Sequence, residues 1–194
     1  MRLQLVTPPT IQPVTVDELK THCVIDHSLD DDYLSDVLDT AREQVEADTG
    51  RALVEQTWQL LGSAFPAEIN VPKPPLVAVS SITYIDTDGE EQTLDAADYQ
   101  VVTTTVGARI KPAAGACWPA VQPGHYNGVV VEFVAGYVVA DGETTVGAIP
   151  HRARQALLIL AADLAENREM HAPIALHELP AYARLIAGLE VGLI

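Results

Sequence analysis

Four side chains able to ligate a metal fall within six residues: His22, Cys23, Asp26 and His27. A nitrogen–sulfur site for a divalent cation would need them to converge from one surface. His22 and His27 are five apart, off the i, i+4 spacing that puts two ligands on one helix face, and a helix break is expected between them and the acid run at 30–32. The segment therefore reads as a polar helix end with Cys23 buried. Asp86-Thr87-Asp88-Gly89 has a faint calcium-loop look. It lacks a third acid before the glycine and the terminal glutamate, so it reads as a hairpin turn, where Asp-Gly tolerates positive φ. No Gly-x-Ser-x-Gly, no phosphate loop and no Gly-x-Gly-x-x-Gly occurs. His171 and His177 fall in an expected loop and tail, solvated or against a partner. No catalytic, cofactor-binding or metal-ligating residue is assigned, and no cofactor is expected.

Charge gives the clearest signal. Between Asp26 and Asp48 stand nine carboxylates and one strong base, Arg42. Paired carboxylates can exchange protons with a substrate. Here most lie opposite an apolar stripe, which describes a solvated helix face. Arg42 and Glu46, four apart, suit an ion pair rather than an active site.

These residues must be carried by recognisable elements. Residues 1–14, with Pro8, Pro9 and Pro13, read as an extended arm. Thr15 and Glu18 form a capping box for a short helix over 16–23. Asp30, Asp31 and Asp32 suit the positive end of a second helix, with Leu34, Val37, Leu38, Ala41 and Val45 on one stripe and Gly50 as the stop. From Leu53 the pattern turns to strands: 53–61, Ile69 to Val71, Val77 to Ile85, Tyr99 to Val102, Arg109 to Lys111 and Val129 to Val134. Residues 112–128 read as loop. Pro150 opens a last long helix, where its missing N–H costs nothing. Leu157, Leu160, Ala161 and Leu164 lie on its apolar face. Beyond Pro173, Leu179, Tyr182, Leu185, Ile186 and Leu189 fit one side of a short terminal helix, a candidate partner interface.

The expectation is an α+β fold of one domain. It has an arm (1–14), a helical part (15–50), a β-rich insertion (53–138), a long helix (149–170) and a tail (171–194). The helices of the two ends would form a bundle, with a small antiparallel β region inserted between them.

Composition supports a packed chain. Of 194 residues, 48% are hydrophobic, and a chain this long buries roughly 70% of the surface its unfolded form exposes. The charge is −16, from 11 Lys and Arg against 27 Asp and Glu, which repels nucleic acid and anionic membranes. No apolar run reaches the length of a membrane span, and MRLQLVTPPTIQP does not read as a signal peptide. Cys23 and Cys117 read as reduced small hydrophobes in a cytosolic setting.

The series of segments resembles a known family. Its pieces are PVTVDELK (13–20), DDDYLSDVLDTAREQVEADTGRALVEQTW (30–58), VPKPPLVAVSSITYIDTDGEEQTLDAADYQV (71–101), VVVEFVAGYV (129–138) and IPHRARQALLILAADLAENRE (149–169). Together they resemble the head–tail connector, or adaptor, proteins of long-tailed bacteriophages and gene transfer agents. The tail after Ala172 matches no motif of that family. The resemblance implies a structural virion protein, not an enzyme. It would assemble in the host cytoplasm as a ring of about twelve copies at the virion neck, beneath the portal protein after DNA packaging. It would receive the stopper or tail-completion protein, and an acidic channel would let DNA pass without specific binding. Another neck or head-completion role is the alternative, and a lysis or DNA-processing enzyme a more distant one.

Overall fold

The computed structural model describes residues 1–137, 149–167 and 180–191. Four helices stand against two antiparallel sheets, a mixed α+β fold. The helices are α1 (Val16–Cys23), α2 (Asp31–Thr49), α3 (His151–Glu166) and α4 (Pro180–Ile186). The strands are β1 (Arg2–Thr7), β2 (Gln56–Gly62), β3 (Ile69–Val71), β4 (Leu76–Ile85), β5 (Glu91–Thr93), β6 (Tyr99–Thr104), β7 (Gly107–Pro112) and β8 (Val129–Ala135).

Local signals set the first two helices. Thr15 Oγ1 accepts from the Glu18 N–H at 3.2 Å, and the Glu18 carboxylate accepts from the Thr15 N–H at 2.9 Å, closing the capping box. Val24 ends α1 in the left-handed region at φ 58°, which turns the chain before α2. Gly50 ends α2 at φ 71°, a conformation that glycine adopts without a Cβ clash. The α2 stripe is buried: Leu34, Val37, Leu38, Ala41 and Val45 share a core with Leu19 of α1 and Leu157 and Ala161 of α3. Leu160 and Leu164 pack against that core half-buried.

The larger sheet runs β1-β2-β8-β4-β5 and the smaller β3-β7-β6. β8 is central and alternates cleanly: Val129, Val131, Phe133 and Ala135 are buried, while Val130, Glu132 and Val134 are half-buried. Period-two side chains put the buried four on one face, where they join Ile69, Val71 and Ile110 from the smaller sheet in a second core. Asp86 shapes the β4–β5 hairpin. Its carboxylate accepts from the N–H of Asp88 and of Glu90 and from Gln92 Nε2, at 2.8–3.0 Å, and Gly89 takes φ 89°.

Several expectations change. The opening segment is extended but not a free arm, since Arg2 to Thr7 pair with β2 at the sheet's edge. One strand of the β region thus precedes the helices in the chain instead of lying in the insertion. β2 begins at Gln56; Leu53 and Val54 are fully buried in the connection before it. Pro150 caps α3 instead of opening its first turn, and α3 ends at Glu166. Cys23 is half-buried, not fully, and Cys117 is exposed in the loop before β8. The helix end foreseen at 168–170, with His171, Pro173, His177 and Leu179, lies outside the described residues.

Candidate interaction site

The metal-ligand candidates separate in space. His22, Asp26 and His27 are exposed, and Cys23 packs against the helical core. Burial, with Glu166 nearby, raises the Cys23 thiol above its usual value. Among the described residues no group of three or more His, Cys, Asp or Glu could hold an ion.

The acidic helix resolves into two populations. Asp32, Asp36, Asp39, Glu43 and Asp48 of α2 are exposed. Glu46 is buried. One of its oxygens accepts from the Leu53 N–H at 2.7 Å and from Gln56 Nε2 at 2.6 Å, and the other from Arg42 Nη1 at 3.1 Å. This carboxylate ties α2 to the chain entering β2. The i, i+4 spacing foretells its partner Arg42, but nothing local foretells Leu53 or Gln56. Lys73 adds a fourth link: its ammonium donates to the Glu46 backbone carbonyl at 3.3 Å and lies 5.5 Å from the Trp58 ring. Burial lowers the Lys73 pKa, and Glu46 opposes that shift.

Thr49-Gly50-Arg51 form a second junction. Arg51 donates through Nε to the Leu189 carbonyl at 2.7 Å, through Nη1 to Tyr137 Oη at 3.0 Å and through Nη2 to the Thr105 carbonyl at 3.2 Å. The Val191 N–H donates to the Thr49 carbonyl at 2.9 Å. Three planar guanidinium donors reach three separate parts of the chain, which a lysine could not do with that geometry. Gly136 closes the same region. Its φ is 145°, and a Cβ there would lie 2.4 Å from the Val54 carbonyl carbon and oxygen.

Two of the four described residues of the candidate interface pack on their own subunit. Leu189 is buried in the helical core, and Tyr182 packs against it. Tyr182 Oη donates to Asp48 Oδ2 at 2.6 Å; burial first, then the Asp48 carboxylate, push its pKa well above the ordinary phenol value. Leu185 and Ile186 keep part of their surface open. Pro13-Val14-Thr15 is anchored in turn by Arg154 of α3, which donates to the Pro13 carbonyl at 3.3 Å and pairs with Glu18.

A cleft of about 600 Å³ lies between the sheets, lined by Leu3, Leu60, Val71, Lys73, Ala108 and Arg109 among others. Its charged lining groups are engaged in structure: Glu68 pairs with Arg109 at 3.2 Å and with Lys111, outside the cleft, at 2.6 Å, and Lys73 donates to the Glu46 carbonyl.

Against known proteins, the model of the phage gp6-like head-tail connector protein family matches residues 13–108. That span runs from the Pro13 anchor through both junctions to the start of β7. Three solved structures resemble the whole fold, each 25% identical and covered over 100% of this chain and 97% of theirs. They are the neck of an empty gene transfer agent particle computed with C6 symmetry (TM-score 0.80), the virion of a native gene transfer agent particle (0.80), and the neck of a native particle computed with C12 symmetry (0.77). No curated protein matches the chain. Fold and family model thus define a structural connector class: over residues 13–108 the chain matches the phage gp6-like head-tail connector family, and over its whole length it resembles the gene transfer agent neck structures.

Proposed function

We propose that this chain is the adaptor of a phage or gene-transfer-agent neck, forming a ring beneath the portal after packaging and receiving the stopper or tail-completion protein. The observation that carries this reading is the full-length likeness to neck structures with sixfold and twelvefold symmetry. Its role is structural rather than catalytic. Glu46 and Asp86 accept three hydrogen bonds each and Glu18 two, all engaged in holding the fold. The whole chain acts as one adaptor domain. Helices from both chain ends form a bundle beside the β region, a reading supported by the core that Leu38, Val45 and Leu157 share.

The C-terminal segment is the proposed contact with the portal or a neighbouring adaptor. Tyr182 and Leu189 hold it on its own subunit, while Leu185 and Ile186 present the remaining surface. DNA passes the ring without specific contacts because like charge repels it.

The test is a particle strain lacking this chain. DNA-filled heads without tails should accumulate, and purified protein added to them should restore tailed particles. Normal tailed particles formed in its absence would rule the reading out.

A further inference from the structure

Large apolar side chains left on the surface are not scattered. Among the described residues eight are exposed, and five of them lie on or beside two strands: Met1, Leu5 and Val6 at β1, and Val101 and Val102 on β6. Both strands are sheet edges, each with one hydrogen-bonded neighbour and a second side open. An open edge presents a row of unpaired N–H and C=O groups, and proteins usually blunt such edges with short length, charge, proline or a bulge.

Among the described residues the four sheet edges differ in that respect. β3 and β5 have three residues each; β3 is followed by Pro72, and β5 carries Glu91. β6 has six residues, Tyr-Gln-Val-Val-Thr-Thr, with no charge and no proline, and it pairs in unbroken register with β7. Val101 is 38% and Val102 59% exposed. β1 has six residues and one charge, Arg2; its register shifts between Leu5 and Thr7 and Pro8 follows it, so its regular edge is Arg2 to Leu5, and Leu5 and Val6 are 41% and 44% exposed. A ring built from identical copies needs two different surfaces on each copy that fit one another. Two strand edges on different sheets, each with exposed apolar side chains and at most one charge, meet that requirement. The net charge of the chain is −16, which would drive copies apart wherever acidic surfaces meet.

We infer that β6 of one copy pairs with β1 of the next, so that strand addition joins neighbouring subunits. The occupant of each open edge is a second copy of this chain. Main-chain hydrogen bonds would supply the contact, and the exposed valines and leucine its apolar cover. The inference rests on the ring reading above and adds which surfaces close the ring.

The experiment uses tailed particles carrying the full chain with Cys23→Ala and Cys117→Ser. Cysteines are then placed at Val6 and Val102, and a short bis-maleimide is applied. A ladder of covalent multimers on a denaturing gel is expected from the double variant and not from either single one. Particles that contain the protein but give no ladder overturn the edge pairing and leave the neck role standing. Particles that lack the protein altogether overturn both. As an independent measurement, Val101→Lys with Val102→Lys changes only exposed positions. The monomer should keep its melting temperature while the yield of tailed particles falls at least about tenfold. Unchanged yield counts against the inference.

Discussion

Glu46 accepts three hydrogen bonds through two buried oxygens, and each donor comes from a different level of the fold. Arg42 is its helix neighbour, Leu53 belongs to the connection, and Gln56 opens β2. Removing the carboxylate would leave the buried Leu53 N–H and Gln56 amide without this acceptor, and Arg42 with only the exposed Asp39 and Glu43. A buried donor left without its acceptor costs about 1–3 kcal/mol. Glu46→Ala should therefore lower the unfolding free energy of the purified chain by about that amount in urea. Glu46→Gln keeps an acceptor oxygen and should cost less. A loss under about 1 kcal/mol for the alanine variant would mean that the network does not hold the junction. The ion pair with Arg42 was legible from spacing. The burial was not, because a glutamate on an acidic helix looks like its solvated neighbours until Gln56 is brought beside it.

At the scale of elements, α1 depends on a titratable cap. Glu18 sits below the ordinary carboxylate value of 4.5, chiefly because its carboxylate accepts from the Thr15 backbone N–H, with Arg154 adding attraction. A depressed folded pKa means that the stabilisation is complete above the unfolded value. It is lost as pH falls through the lowered folded value. Amide-exchange protection of Leu19, in the first turn, should weaken as pH drops below about 4.5 in the native chain. In Glu18→Gln that pH dependence should be nearly flat. An identical decline in both would show that another group governs the helix. Both helices before Gly50 were readable because caps, stripe and stop are written within a few residues of each other. β1 was not, since its strand identity comes from pairing Arg2 with Leu61 and Leu5 with Trp58, more than fifty residues away.

For the whole molecule, net charge is the governing quantity. A chain at −16 has few cations to release counterions from phosphates, and those near the cleft are already paired or buried. The purified protein should leave duplex DNA mobility unchanged at micromolar concentration and physiological salt. A shift that disappears on adding salt would contradict this and point to a basic surface formed by the assembly or by the chain beyond the described residues.

The sequence by itself determined the α+β class, the two N-terminal helices and the Asp86 hairpin. It also determined the acidic face and the order of segments by which the connector family is known. Each depends on residues close together in the chain or on summed composition. Tertiary structure decided the rest. It split the strands between two sheets, took the first residues into an edge strand, and buried Glu46. It also set Arg51 against Leu189, Tyr137 and Thr105, and fitted Gly136 against Val54. These are contacts between distant segments, chosen by which apolar faces can be covered at once. No local pattern encodes that choice, because strands of similar composition can satisfy it in several orders and only the packed core selects one.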